Sequence, residues 1–214
     1  MLELVIGNKK YSSWSLRPWV LMKHFELPFK ETLIGLDLPD TAANIARYNQ
    51  AGKVPVLIDE GVTVWDTLAI SEYLAEKFPD RHLWPEDRRA RAQARSVSAE
   101  MHSGFPNLRN DCSMKLLESH PIQTLRPETK AEVERVVSSF NECLAKAEGG
   151  PFLFGAFSIA DAMYAPVVSR FRTYALPASG AAAAYLATMW ALPAMQAWVE
   201  GARAETLRVK RYET

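Results

Sequence analysis

Cysteine is scarce in this chain, with only Cys112 and Cys143 among its 214 residues. The two are far apart and form no Cys-x-x-Cys pair, so the sequence indicates neither a disulfide framework nor a zinc site. The four histidines also lack the spacing of metal ligands. We therefore expect no bound metal.

An excess of charge of either sign is missing as well, because 25 lysines and arginines balance 25 aspartates and glutamates. This balance argues against nucleic acid or an anionic membrane as the main partner. The chain also lacks an apolar run long enough to span a bilayer, and its start lacks the basic-then-apolar layout of a signal peptide. The expectation is a reduced, cytoplasmic globular protein.

Up to Phe78, short apolar strands alternate with helices, which predicts an α/β domain over residues 1–78. A glycine at position 61 supplies the turn of a predicted hairpin. The predicted strands are Leu2–Ile6, Phe29–Leu33, Val56–Ile58 and Val62–Trp65. The predicted helices are Leu16–Phe25, with Pro18 in its first turn, and Thr67–Phe78.

Strand signals stop after the proline-containing segment 79–86, which we interpret as a linker. From Glu86 a long helix is predicted toward Cys112, with a bend at Pro106. Further helices are predicted to begin near Pro127, Ser158, Gly180 and Pro193. Residues 87–214 are therefore predicted to form an all-α domain. This order of elements favours a small mixed sheet followed by a helix bundle.

The first candidate site is the turn Tyr11–Arg17, between the first strand and the first helix. Its serines, among them Ser12 and Ser13, have an ordinary interpretation as helix caps that accept backbone N–H bonds. The functional alternative uses the same geometry, because a hydroxyl at the positive end of a helix can donate to a bound thiolate and stabilise it. The pattern alone leaves both open.

Two more candidate segments stand at the entrance to a strand and at the start of a helix. Gly52–Pro55 leads into the third predicted strand, and a cis Val54–Pro55 bond would expose the backbone of Val54 for pairing with a short peptide ligand. Asp66 and Thr67 begin the next helix, where they can cap it. They can also, with the free N–H groups of that helix, bind a carboxylate.

In their order and spacing, these segments resemble the cytosolic glutathione transferases. The Ser-Ser-x-Ser-x-Arg turn is most similar to the corresponding turn of the serine-type, zeta-like branch. The chain as a whole resembles a bacterial-style member of that branch. Val54-Pro55 matches the family's cis-proline motif, and Asp66-Thr67-Leu-Ala-Ile-x-x-Tyr-Leu matches its helix start. Ser158-Ile-Ala-Asp161 matches its N-capping box, a structural device. The resemblance implies a thioredoxin-like domain followed by an all-α helix-bundle domain.

The resemblance also implies roles for individual residues. Ser12 stands at the position of the activating hydroxyl, five residues before Arg17, and the adjacent Ser13 is its rival. Glutathione is the implied cosubstrate and supplies the nucleophilic thiol.

Five residues are implied to hold the rest of glutathione. The backbone of Val54, next to Pro55, would hold the cysteinyl part. Asp66 and Thr67 would hold the γ-glutamyl carboxylate end, and Lys53 could approach the glycine carboxylate.

The helical half is expected to complete a pocket for a small electrophile. One face of the predicted long helix would look across at Ser12. Met101 and Phe105 have an equally good interpretation as core residues. The predicted pocket residues are Trp14, Met101, His102, Phe105 and Arg109.

Three functions stay open: glutathione conjugation, which we favour, a maleylacetoacetate-type cis–trans isomerisation, and non-enzymatic ligand binding or regulation. The isomerase hypothesis requires a basic pocket. It is weakened because this chain has Trp14 where the zeta pattern has cysteine. Arg170 and Arg172 could serve an acidic substrate, although a solvated helix face is the favoured interpretation. A thiol–disulfide oxidoreductase is disfavoured because the turn has no cysteine. By resemblance, the protein is expected to be a homodimer.

Overall fold

Four strands form one mixed sheet in the computed structural model, which describes residues 1–147 and 149–207. They are β1 (Leu2–Ile6), β2 (Phe29–Leu33), β3 (Val56–Asp59) and β4 (Val62–Trp65). The order is β2-β1-β3-β4, with β1 parallel to β2 and antiparallel to β3, and with β3 and β4 joined as an antiparallel hairpin. The predicted strands are confirmed, and β3 is one residue longer than predicted.

Helices connect and follow these strands. In the amino-terminal half they are α1 (Ser13–His24), α2 (Thr41–Ala46) and α3 (Thr67–Lys77). A single 3₁₀ turn at Pro79–Arg81 precedes the helical half. There the helices are α4 (Arg88–Ser103), α5 (Pro106–Asp111), α6 (Pro127–Lys146), α7 (Ile159–Tyr174), α8 (Ala181–Ala191) and α9 (Pro193–Ala204). A mixed-sheet, thioredoxin-like domain thus precedes an all-α domain, as predicted.

Helix α1 begins three residues earlier than predicted. The Ser12 side chain caps it by accepting the N–H of Ser15, so the helix starts at Ser13 and not at Leu16. As a result Pro18 lies inside the helix, and its placement in the first turn was wrong. Because proline has no N–H, Trp14 loses the usual helical donor to its carbonyl.

The helix predicted from Glu86 to Cys112 is two helices, so a single bent helix was wrong. Gly104 ends α4, and Phe105 has a left-handed backbone with φ of 60° immediately before Pro106 opens α5. A residue that precedes proline is disfavoured in the right-handed helical conformation, and proline cannot donate to the preceding turn. The chain therefore turns at Phe105.

Helix α1 joins the sheet to the helical half. It packs on α7, on α9 and on α3. Of its apolar residues, Leu16, Val20 and Leu21 are fully buried. Helix α7 begins with the predicted capping box of Ser158 and Asp161. Helix α1, whose first turn Ser12 caps, is therefore part of the interface between the two halves.

Candidate functional site

The three predicted segments lie at one end of the sheet. Val5 of β1 is paired with Val56 of β3, and Val56 is paired with Trp65 of β4. Because both pairings are antiparallel, the end of β1, the start of β3 and the end of β4 lie side by side. The serine turn, Val54–Pro55 and Asp66–Thr67 extend from these three ends.

Ser12 is held in a buried hydrogen-bond chain. Its side chain is 7% exposed, and its Oγ donates to the Ser15 Oγ at 2.8 Å. The Ser15 Oγ also accepts the Gly7 N–H at 3.0 Å. The chain joins the end of β1 to the first turn of α1, so it fixes where the Ser12 oxygen stands relative to the sheet.

Ser13 and Trp14 lie on the more open side of the same turn. Ser13 is the first residue of α1 and is half-buried, whereas Trp14 is exposed to 36%. The Trp14 ring meets the His102 ring edge-on, with centroids 5.2 Å apart. Trp14 therefore extends from the serine turn toward helix α4.

The Val54–Pro55 peptide bond is cis, as predicted. Pairing in β3 begins at Val56, so the Val54 backbone is not part of the sheet ladder. Lys53 is exposed, and its carbonyl accepts a hydrogen bond from the Asn49 side-chain amide at 2.9 Å.

Asp66 caps helix α3 with one of its two carboxylate oxygens. Its Oδ1 accepts the N–H groups of Leu68 at 2.9 Å and Ala69 at 3.4 Å. Its backbone has a positive φ of 76°, which is uncommon for a residue other than glycine. Thr67 follows with a fully buried side chain. Both cap contacts of Asp66 are made to Oδ1 and not to the second oxygen, Oδ2.

His102 reaches both of these residues from helix α4. Its Nε2 lies 3.2 Å from the Asp66 Oδ2, and its Nδ1 lies 3.5 Å from the Thr67 Oγ1. Burial lowers the pKa of His102, and the nearby Arg17 and Arg109 act in the same direction, while Asp66 opposes them. The helical half thus contributes a titratable group directly to the sheet end.

Two arginine side chains pack against the Trp14 ring. The guanidinium groups of Arg17 and Arg109 lie over the Trp14 ring, 4.2 and 5.0 Å from its centroid. Arg17 is 1% exposed, and within the described part of the chain none of its three guanidinium nitrogens has a hydrogen-bond partner. Its burial, with the charges of Arg109 and Arg170, lowers its pKa well below the ordinary value.

Arg170 of α7 is 4% exposed and donates to the carbonyls of Arg109 and Cys112. The interpretation of Arg170 as part of a solvated helix face was therefore wrong, whereas Arg172 is exposed. The guanidinium groups of Arg109 and Arg170 both lie close enough to Arg17 to act on its charge. We call these three arginines the arginine cluster.

Met101 and Phe105 are buried in the main hydrophobic core at 1% and 6% exposure. Core packing accounts for both residues without a ligand. The pocket predictions that the structure brings together at the sheet end are Trp14, His102 and Arg109.

Two site residues were missed in the sequence. Ser15 follows Ser12 by three residues, the spacing at which a capping residue and the first helical turn interact. That spacing could have identified it. Arg17 was used only to locate Ser12, five residues before it, and was not itself predicted as a site residue. Its neighbours in the sequence do not distinguish a buried arginine from an exposed one.

In the ranges 1–147 and 149–207, no group of three or more His, Cys, Asp or Glu residues is placed to hold a metal ion. Among the helices of these ranges, none has both the length and the hydrophobicity to cross a membrane.

Curated relatives match this chain in part. A probable maleylacetoacetate isomerase from Caenorhabditis elegans is 33% identical over 49% of this chain and 48% of its own. Glutathione S-transferase L1 from Arabidopsis thaliana is 26% identical over 74% of this chain and 62% of its own. The chain thus spans roughly half to two thirds of the length of these relatives.

A solved structure of similar shape is a Burkholderia glutathione transferase homolog with bound glutathione. It has a TM-score of 0.74 and 24% identity, and the match covers 95% of this chain and 99% of the other. At this identity the likeness supports the fold.

Family models match both halves of the chain. Residues 11–77 match the model described as "Glutathione S-transferase, N-terminal domain". Residues 123–201 match the model described as "Glutathione S-transferase, C-terminal domain". The first match contains the serine turn, Val54–Pro55 and Asp66–Thr67, and the two together cover more than half of the chain. The chain therefore belongs to the glutathione S-transferase family.

Proposed function

We propose that this protein is a glutathione transferase that binds glutathione at the sheet end and activates its thiol for attack on a small electrophile. The observation that carries the proposal is the row Val5–Val56–Trp65, which brings the three predicted binding segments together. Each segment offers a different kind of group: a hydroxyl, a free strand backbone and a helix start.

Activation requires the thiol to lose its proton. A thiol with a pKa of about 8.5 is only about 3% ionised at pH 7, and lowering that pKa by two needs about 2.7 kcal/mol of preferential thiolate stabilisation. A hydrogen bond to a charged group contributes roughly 1.5–3 kcal/mol. One hydroxyl at the positive end of α1 therefore has the required strength, with help from the helix end.

Ser12 can supply that hydrogen bond because Ser15 can exchange roles with it. Two hydroxyl oxygens 2.8 Å apart allow either one to donate. When the Ser15 hydroxyl donates to the Ser12 Oγ, the Ser12 proton becomes available to the thiolate. The Gly7 N–H continues to hold Ser15 in place at 3.0 Å. We therefore assign Ser12 as the thiolate donor and Ser15 as its positioning residue, with Ser13 as the alternative donor.

The remainder of glutathione would lie along the other two segments. Val54 offers its unpaired backbone to the cysteinyl part. Asp66 and Thr67, with the start of α3, offer groups for the γ-glutamyl end, whose carboxylate suits a helix N-terminus and whose ammonium suits the Asp66 carboxylate. Lys53 is exposed and free to reach the glycine carboxylate.

Titration calorimetry with glutathione and a conjugation assay with an aryl halide test this proposal. We expect binding and turnover by the wild-type protein, and weaker binding by Thr67→Val, which keeps the shape and removes the hydroxyl. Thr63→Val is the matched control, because Thr63 is an exposed residue of β4. Absence of glutathione binding by the folded wild-type protein would overturn the proposal. Equal affinity in Thr67→Val would remove Thr67 from the site.

A second candidate is turnover of an acidic electrophile, including a maleyl-type diacid. Arg17 of the arginine cluster supports it, because its buried guanidinium has no hydrogen-bond partner among the described residues and is costly unless an anion satisfies it. Relatives named as maleylacetoacetate isomerases agree with this chemistry, one of them from Rattus norvegicus at 31% identity. A comparison of aryl halide, peroxide and maleylacetone as substrates distinguishes the candidates. A preference for maleylacetone would favour the isomerase.

A further inference from the structure

His102 occupies both polar groups that the proposed function assigns to the γ-glutamyl end of glutathione. Its Nε2 faces the Asp66 Oδ2 at 3.2 Å, and its Nδ1 faces the Thr67 Oγ1 at 3.5 Å. The Asp66 Oδ1 is already engaged by the helix cap, which leaves Oδ2 as the oxygen for an external cation. The imidazole therefore stands where the ammonium and carboxylate of a γ-glutamyl group would bind.

The neutral imidazole fits these two contacts in one tautomer. An Nε2–H donates to the Asp66 carboxylate, and Nδ1 then accepts from the Thr67 hydroxyl. A protonated imidazole keeps the contact with Asp66 and adds a positive charge to it, which strengthens the pair.

We propose that His102 competes with the γ-glutamyl end of glutathione for Asp66 and Thr67. Glutathione binding then requires the imidazole to turn away, and it weakens when the imidazole is protonated. This inference rests on the proposed function, because it assumes that glutathione uses Asp66 and Thr67.

The charges around His102 determine the pH range of the effect. Asp66 at the start of α3 favours the protonated ring, whereas Arg17 of α1 and Arg109 of α5 disfavour it. Burial also disfavours the charged ring, so the pKa of His102 is lowered from its ordinary value. Competition should thus grow as the pH falls below about 6.5, the ordinary pKa of histidine.

Calorimetry with S-methylglutathione separates this effect from ionisation of the thiol, because the methylated sulfur carries no proton. Between about pH 8 and about pH 5 we expect wild-type affinity to fall about fivefold, the lower end of ordinary coupling between sites. His102→Gln should lose most of that pH dependence. His82→Gln is the matched control, because the exposed His82 also pairs with a carboxylate, that of Glu86 at 2.8 Å. It should behave as the wild type.

The pKa of the His102 imidazole gives a second, direct test. Linkage is reciprocal, so S-methylglutathione should lower the pKa of His102, measured by NMR, by about 0.7, the same factor of five. Equal pH dependence in the wild type and His102→Gln, or a His102 pKa unmoved by the ligand, would overturn the inference while leaving glutathione binding intact. Failure of S-methylglutathione to bind the folded wild type at any pH would overturn the proposed site, and this inference with it.

Discussion

Ser12 and Ser15 share a hydrogen bond of 2.8 Å inside the turn that follows the first strand. Both hydroxyls are buried, and the second is anchored to the Gly7 amide. Ser13, between them in the chain, is half-buried and begins the helix. The three serines therefore have different environments, which allows the thiolate donor to be identified by single substitutions.

If Ser12 donates to the thiolate, Ser12→Ala should raise the pKa of the bound thiol by roughly 1–2. Ser15→Ala should raise it by less, because the Ser12 donor survives but loses its orienting partner. Ser13→Ala serves as the adjacent control and should change it least. Thiolate absorbance against pH, with glutathione bound, gives all three values. The largest rise in Ser13→Ala would reassign the donor.

Arg17→Met should stabilise the protein by about 1–3 kcal/mol, because an apolar side chain replaces a buried charge that has no hydrogen-bond partner among residues 1–147 and 149–207. The same change should lower kcat/KM for an acidic substrate more than for a neutral aryl halide. Denaturant unfolding and parallel kinetics measure both effects.

Arg172→Met is the control for that trade-off, since Arg172 lies exposed on α7. Its effect on stability should stay within about 1 kcal/mol, the size of the exposed cation–π contact between its guanidinium and the Trp190 ring. Destabilisation by Arg17→Met would mean that the guanidinium is satisfied within the folded chain, contrary to the anion hypothesis.

The Asp161 carboxyl predicts a pH dependence of stability. It accepts the N–H groups of Leu153 and Ser158, and burial raises its pKa to about 6. The folded state therefore holds this proton at pH values where the unfolded chain, with a pKa of about 3.9, has released it. Its contribution to stability is complete below about pH 4 and is lost as the pH rises to about 6, by up to about 3 kcal/mol.

Asp161→Asn isolates this effect, because asparagine does not titrate and resembles the protonated acid. As the pH rises from about 4 to about 6, we expect Asp161→Asn to gain stability relative to the wild type, by up to about 3 kcal/mol. Urea unfolding of both proteins across this pH range measures the difference in unfolding free energy. A difference that does not change with pH would show that the carboxyl titrates alike in the folded and unfolded states.

We expect a homodimer, in which the edge strand β4 is part of the interface. Val62 and Trp65 of this strand are 48% and 51% exposed, so this edge of the sheet carries apolar side chains that a partner could cover. Sedimentation should give twice the chain mass of 24.0 kDa, and Val62→Glu should shift the population toward monomer. A stable two-fold interface buries more than about 1,200 Å². A wild-type monomer at micromolar concentration would contradict the expectation.

Much of the fold followed from local patterns. The predicted bounds of β1, β2 and β4 are correct, and Pro127 and Pro193 marked the starts of α6 and α9. Helix α2 was missed because its six residues, Thr41–Ala46, bury only Ile45 and so show no apolar periodicity.

The electrostatics of the site did not follow from local patterns. Burial of Arg17 and Arg170 depends on how α1 packs against α7, and these helices are far apart in the chain. The contact of His102 with Asp66 likewise joins the two halves. Sequence spacing identified the hydroxyls and helix starts, because these act within a single turn.

The packing of α1 on α7 has a consequence for how the molecule melts. The two halves share most of their apolar interior, because one continuous core includes Leu16 and Val20 of α1 together with Met163 and Val167 of α7. Cutting the chain at the linker, residues 79–86, and separating the halves would expose the apolar faces of α1 and α7 to water. The two halves should therefore unfold as one cooperative unit, and ligands bound at the sheet end would protect the distant helices equally.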